Sequence, residues 1–172
     1  VVGPRTAARG FKEAGVFANG EVVDGIGGGI CQVSSTIYMA AIRANMKITE
    51  RKNHAFYVDY TPKGEDATVV YGSIDFQFRN NTNAPIKIFA SANNTSVTIT
   101  IKGTVAQQKK VKIQTVTHGT TPFTEKVVED PNLKPGERVI KQAGQQGNAK
   151  PHGKQMLFHG HFSFLGWNPS TL

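Results

Sequence analysis

The chain has one cysteine, Cys31, at the end of the run GIGGGI, where Gly25, Gly27, Gly28 and Gly29 lead into a patterned apolar segment. A thiol attacks as its thiolate, so the question is what would stabilise negative charge on that sulfur. Glycines allow positive φ and a close approach of backbone to ligand. Beyond them, Ile30, Val33, Ile37, Ala41 and Ala44 share one face at helical spacing, and no Gly or Pro interrupts residues 30–46. That pattern predicts a helix. Cys31 then falls at the helix start, where unpaired N–H groups and the helix dipole favour an anion. The same N–H groups can receive an oxyanion during acyl transfer. Competing readings are a phosphate cradle or a tight turn into a buried helix. A P-loop requires Gly-Lys-Ser/Thr, and here the residues are Gly29-Ile30-Cys31. A dinucleotide fingerprint requires a clear preceding strand, and Val22-Val23 is a weak one.

A cysteine nucleophile needs a base, and histidine is the usual one. Of His54, His118, His152, His159 and His161, only His54 lies close after the predicted helix, at the start of an aromatic stretch. It is the preferred base; a surface histidine at a strand start is the plainer alternative. An orienting acid would come from Asp59, Asp66 or Asp75, with Asp66 favoured. Gln32, Ser34 and Ser35 follow Cys31 along the helix and either contact substrate or line the helix. No cluster of His, Cys and acids has metal-ligand spacing, so neither metal nor other cofactor is expected.

These residues need elements to hold them. Phe11, Ala14, Gly15 and Ala18 fall at helical spacing, predicting a short helix before Asn19-Gly20. Residues 47–51 read as a linker or short strand, and residues 54–60 as a strand closed by Thr61-Pro62-Lys63-Gly64. A β-meander follows: residues 67–71, then Ile74, Phe76 and Phe78 alternating with polar residues, then Ile86 and Ile88, a turn at 92–94, and Val97, Ile99 and Ile101. Composition shifts after Gly103 to a polar, basic connector. Strands are predicted at 111–117, 122–128 and 138–141 among Pro- and Gly-rich turns. The expected fold is α+β: a cysteine-bearing helix packed on an antiparallel β-meander (residues 1–103), then a small mostly-β module (residues 104–172).

The net charge of +8 and pI near 9.7 draw the chain to polyanions, including wall polymers such as teichoic acid. With no Arg-rich helix, zinc spacing or RNA-binding aromatic motif, nucleic acid is not the expected partner. No stretch nears the roughly 20 apolar residues of a membrane span. Starting at Val1 rather than Met, the chain reads as a fragment, so the lack of a leader is uninformative. A single cysteine excludes an internal disulfide.

The residue string GGGICQVSSTIY (27–38), Glu50-Arg51 with His54, Tyr60-Thr-Pro-Lys-Gly64, Asp66-Ala-Thr-Val69 and Asp75-Phe76 resembles the VanW domain, first noticed in vancomycin-resistance gene clusters. The resemblance implies peptidoglycan chemistry outside the cell or at the wall. Such domains are associated with L,D-transpeptidation, in which a cysteine takes an acyl group from a tetrapeptide stem and passes it to the amine of another stem, making a 3-3 cross-link. Carried onto this chain, it makes Cys31 the nucleophile and His54 the base, with Asp66 still the favoured acid from its place after His54. Gly28, Gly29, Gln32, Ser34, Ser35 and Arg51 become the candidate substrate-binding residues. The Ser-His-Gly-Cys motif of the better-known L,D-transpeptidase fold is missing, so that fold is not implied. The order Cys on a helix, His on a strand, then an acid is also similar to transglutaminase-like and papain-like hydrolases. Pro122-Phe123, Glu129-Asp-Pro-Asn-Leu133, Pro135-Gly136 and Gly144 to Gly147 resemble the G-five-type module associated with wall glycans. The alternatives are a cysteine amidase or endopeptidase on the same stems, and a wall-binding module without catalysis.

Overall fold

The computed structural model describes residues 3–18, 21–55, 57–104, 110–116, 119–122, 125, 127–140, 147–148 and 158–159. Its class is α+β: one α-helix, a short 3-10 turn at Ala7–Arg9 and antiparallel strand pairs. Strand β1 (Glu13–Ala18) pairs with β2 (Glu21–Ile26), where a short helix was expected. The reason is legible afterwards. Ala18 faces Glu21 across Asn19-Gly20, a pair that strongly signals a two-residue hairpin turn. Gly25 lets the strands close: a Cβ there would stand 2.7 Å from Val16 Cγ2.

Helix α1 (Ile30–Arg43) ends in a Schellman motif. The Met46 amide donates to the Ala41 carbonyl at 2.9 Å and the Asn45 amide to Ile42 at 3.1 Å, with Asn45 at φ 54°. The buried positions of α1 are Ser34, Ser35, Ala41 and Ile42; Ile30, Val33 and Ile37 are only half-buried. The buried face is therefore rotated from the apolar stripe, because the serine hydroxyls find partners inside. Strands β3 (Lys47–Glu50) and β4 (Gln77–Arg79) pair, as do β5 (Lys87–Ala92) and β6 (Val97–Lys102). Helix α1 packs on β6 and β3. Ala41, Met46 and Ile101 form the core, flanked by Ile48, Phe76, Phe78 and Ile86. The Tyr38 ring meets Phe76 edge-on at 5.7 Å. This apolar end anchors the helix and leaves its first turn for the site.

The described residues of 54–60, which leave out residue 56, are not a strand, and residues 67–71 contribute only the isolated bridge Val70↔Ile74. Their backbone groups bond elsewhere. The His54 amide donates to Asp66 Oδ2 at 2.6 Å, the Thr68 amide to the Lys52 carbonyl, and the Ala67 amide to Ser35 Oγ. Two side chains and a loop carbonyl thus replace the ladder a strand would need. Beyond residue 104, β7 (Val111–Lys112) pairs with β10 (Phe158–His159), and β8 (Thr120–Thr121) with β9 (Gly147–Asn148). Strand β7 is shorter than predicted. The described parts of 122–128 and 138–141 are not strands; residues 123, 124, 126 and 141 lie outside the described set, as does most of the tail after 148. Turns do stand at 130–133 and 134–137.

Candidate functional site

The glycine run does two separate jobs. Gly28 packs so tightly on β1 that a Cβ would stand 2.5 Å from Ala14 Cβ and 2.6 Å from Ala14 backbone atoms. Gly29, the N-cap at φ 85°, has open space where a Cβ would be. No side chain caps the helix. Gln32 and Val33 amides return to the Gly29 carbonyl, while the Ile30 and Cys31 amides have no acceptor among the described residues. Cys31 therefore lies one residue inside the helix, beside free N–H groups and an uncrowded glycine.

The segment 65–69 is the second wall. Ser34 Oγ donates to the Ala67 carbonyl at 2.6 Å, and fully buried Ser35 both accepts from the Ala67 amide at 2.9 Å and donates to its carbonyl at 3.3 Å. These bonds fix the helix start against a chain about thirty residues away. The half-buried Cys31 Sγ reaches the Val69 carbonyl at 3.5 Å.

His54 sits in the loop after β3, and Asp66 holds it twice, accepting from its amide at 2.6 Å and contacting ring Nδ1 at 2.7 Å. Asp66 is held in turn by Arg51, whose Nη2 lies 3.0 Å from Oδ1. Arg51 also donates to the Asp66 and Gly64 carbonyls and lies 5.0 Å over the Tyr38 ring. With Nδ1 on Asp66, the other ring nitrogen, Nε2, has Tyr60 Oη at 3.3 Å, and the ring stands close enough to Cys31 for each to favour the charged form of the other. Asp59 and Asp75 are exposed, and Asp75 bonds to Phe76 and Gln77 instead.

The electrostatics follow the chain of contacts. Burial pushes the thiol up, but the His54 hydrogen bond and the charges of His54 and Arg5 outweigh it, leaving Cys31 below its ordinary 9.0. Burial pulls His54 down, but Asp66 and Cys31 lift it from 6.5 to about 9. Burial raises Asp66, yet its bonds from His54 and the Arg51 charge hold it below 3.8. The shifts of Cys31 and His54 run in the same sense, each favouring the charged form of its group, and Asp66 supports the charged ring.

The structure brings Cys31, His54, Asp66, Arg51, Ser34 and Ser35 into one cluster. Gly28 and Gly29 form its approach, and Gln32, half-buried beside Cys31, makes no side-chain hydrogen bond among the described residues. Two neighbours escaped sequence reading. Tyr60 Oη stands 3.3 Å from His54 Nε2, its ring edge-on to the imidazole. Burial and the neighbouring Cys31 push this phenol up to about 12. Arg5 lies across Gly27. Tyr60 shared a motif with His54, which was a usable signal; Arg5 gave none.

The family model described as VanW like protein matches residues 1–102. The chain belongs to the VanW family. A G5 domain model matches residues 102–153. The family relatives include YoaR of Bacillus subtilis, 48% identical over 101 residues, covering 59% of this chain and 33% of the relative. Another is the Vancomycin B-type resistance protein VanW of Enterococcus faecalis, 28% identical over 92 residues, covering 51% of this chain and 34% of the relative. The chain spans about a third of the length of these relatives. No solved structure matches it. Among the described residues no group of His, Cys, Asp and Glu could hold a metal ion, and no helix is long and apolar enough to cross a membrane.

Proposed function

We propose that the chain is a cysteine acyltransferase of the bacterial cell wall, an L,D-transpeptidase forming 3-3 cross-links between peptidoglycan stems. One observation carries this reading: Asp66 contacts His54 Nδ1 at 2.7 Å, and the same imidazole stands close enough to Cys31, at a glycine-hinged helix start, to pull its thiol down. An acid, an imidazole and a sulfur in that order make an acyl-transfer relay. The Cys31 thiolate attacks the acyl carbonyl carbon, forming a C–S bond and an oxyanion that the free Ile30 and Cys31 amides are placed to receive. Collapse breaks the C–N bond, and the His54 imidazolium gives its Nε2 proton to the departing amine. The acceptor amine then attacks the thioester, loses a proton to Nε2, and the C–S bond breaks to restore thiolate and imidazolium.

In this reading Arg51, Ser34 and Ser35 are positioning residues, since their polar atoms are engaged by Asp66, Gly64 and Ala67. Gly28, Gly29 and Gln32 border the side from which substrate enters. Residues 1–103 form the catalytic part and 104–172 an accessory part. The G5 match and the +8 charge support binding of the accessory part to wall glycans or anionic wall polymers, at or outside the cell surface. The relative named for vancomycin B-type resistance supports the same place of action.

Incubation with a tetrapeptide stem should give an intact-mass acyl adduct on the wild type and none on Cys31→Ala. His54→Ala should remain folded and lose turnover. Absence of any adduct across pH, with wall binding intact in Cys31→Ala, favours a non-catalytic binding module. An adduct that water but never an amine discharges makes the chain an amidase or endopeptidase on the same stems.

A further inference from the structure

Arg5 stands apart from the relay, yet the fold brings it to the same place. The Arg5 side chain lies against Gly27 so closely that a Cβ there would stand 2.7 Å from its Cδ and 2.8 Å from its Cβ. Gly27 is buried at φ 80°, and its amide is tied to the Lys12 carbonyl at 2.8 Å, which fixes the surface on which Arg5 rests. Arg5 is half-buried as a residue, and its charge is near enough to the sulfur to favour the thiolate. Among the described residues no carboxylate and no carbonyl pairs with it. Arg51, by contrast, is engaged by Asp66 and Gly64 through Nε and Nη2. A partly desolvated guanidinium without a counter-charge is costly to keep, and its planar fork matches a carboxylate in bidentate fashion.

We infer that Arg5 is a specificity residue that binds a permanent carboxylate beside Cys31, so that the preferred acyl donor is one whose leaving amine carries an α-carboxylate. The inference rests on the acyl-transfer reading for its biological sense. A stem cut after its third residue releases a fourth residue that is the C-terminus, and its carboxylate is one carbon from the departing nitrogen. The Arg5 guanidinium would hold that group while the imidazolium protonates the amine. Donors extended or amidated at that end would lack the contact.

The test has two arms, and the first needs no enzymology. Cys31 is alkylated with iodoacetate and with iodoacetamide on the full chain, and the ratio of the two rates is taken, which cancels the thiolate fraction. The wild type should favour the anionic reagent, and Arg5→Gln should lower the ratio on the order of tenfold, with Arg5→Lys retaining part of it. In the second arm, the rates of adduct formation from a free-acid tetrapeptide and its C-terminal amide are compared. The acid-over-amide ratio should fall by a similar factor in Arg5→Gln. An unchanged alkylation ratio overturns the carboxylate site whether or not the protein is an enzyme. Equal slowing of acid and amide overturns it as well, by making Arg5 a general support. A fall in the alkylation ratio without any peptide adduct keeps the anion site and instead removes the transpeptidase reading.

Discussion

Replacing Asp66 by Asn keeps the shape of the side chain and removes its charge. In the wild type every polar neighbour is a donor: the His54 amide and ring Nδ1 meet Oδ2, and Arg51 Nη2 meets Oδ1. An amide offers one oxygen and one NH2, so either orientation points a donor at a donor, at Arg51 or at His54. The rise of His54 from 6.5 to about 9 corresponds to roughly 3 kcal/mol of preference for the charged ring, at about 1.4 kcal/mol per unit. Burial opposes that rise, and the Asp66 hydrogen bond is the largest contact producing it, with Cys31 next. Adding the broken Arg51 contact, the substitution should cost about 2 to 4 kcal/mol at neutral pH and lower the melting temperature by roughly 10 °C or more. The sign with pH is defined. The contribution of the raised His54 is present below 6.5 and lost as pH rises through about 9; that of the lowered Asp66 is present above 3.8 and lost on acidification. Asp66→Asn should flatten both limbs of a stability-against-pH curve. The chemical readout is the rate of Cys31 alkylation by iodoacetamide against pH. Its midpoint should move up toward the ordinary 9.0 as the imidazolium is lost, and acyl transfer should fall by roughly 10² to 10⁴. A folded variant with the wild-type alkylation profile would refute the relay, because the sulfur would then owe nothing to the His54–Asp66 pair.

Three further outcomes are expected. Ser35→Ala orphans the buried Ala67 amide and should destabilise by about 1 to 3 kcal/mol in chemical denaturation, with no change in the slope. Gly28→Ala must displace Ala14 and should cost more stability than Gly29→Ala, where only the left-handed backbone, about 1 to 2 kcal/mol, is at stake; a reversed order would contradict the packing of the loop on β1. Tyr60→Phe removes the hydroxyl 3.3 Å from Nε2 and should slow acyl transfer roughly 3- to 10-fold while the fold, read by circular dichroism, is kept. Unchanged kinetics would leave Tyr60 as packing alone.

The residues that errors and successes fell on have a common explanation. The helix from Ile30 was legible because its period and its glycine entry are local properties of adjacent residues. The hairpins β5–β6 and the turns around Asp130 and Gly136 were legible for the same reason. The segment from His54 to Tyr71 misled, since its aromatic and β-branched content fits a strand while its amides bond to side chains at His54 and Ala67 and to scattered loop carbonyls elsewhere. Residues 11–18 misled in the opposite direction, where apolar spacing suited a helix and the turn at Asn19-Gly20 favoured a hairpin.

Composition and order alone therefore determined one helix, its glycine hinge, a nucleophile candidate on the first turn, and a basic chain with a change of character near Gly103. Only the tertiary structure decided which acid meets His54, that Ser34, Ser35 and Arg51 bond to the 64–67 segment, that Tyr60 meets His54 and that Arg5 lies on Gly27. The separations explain the division: Ser35 meets Ala67 across 32 residues, Cys31 meets Val69 across 38, and Arg51 meets Asp66 across 15. Periodicity and turn chemistry act over a few residues, whereas such contacts depend on how the whole chain closes around its core.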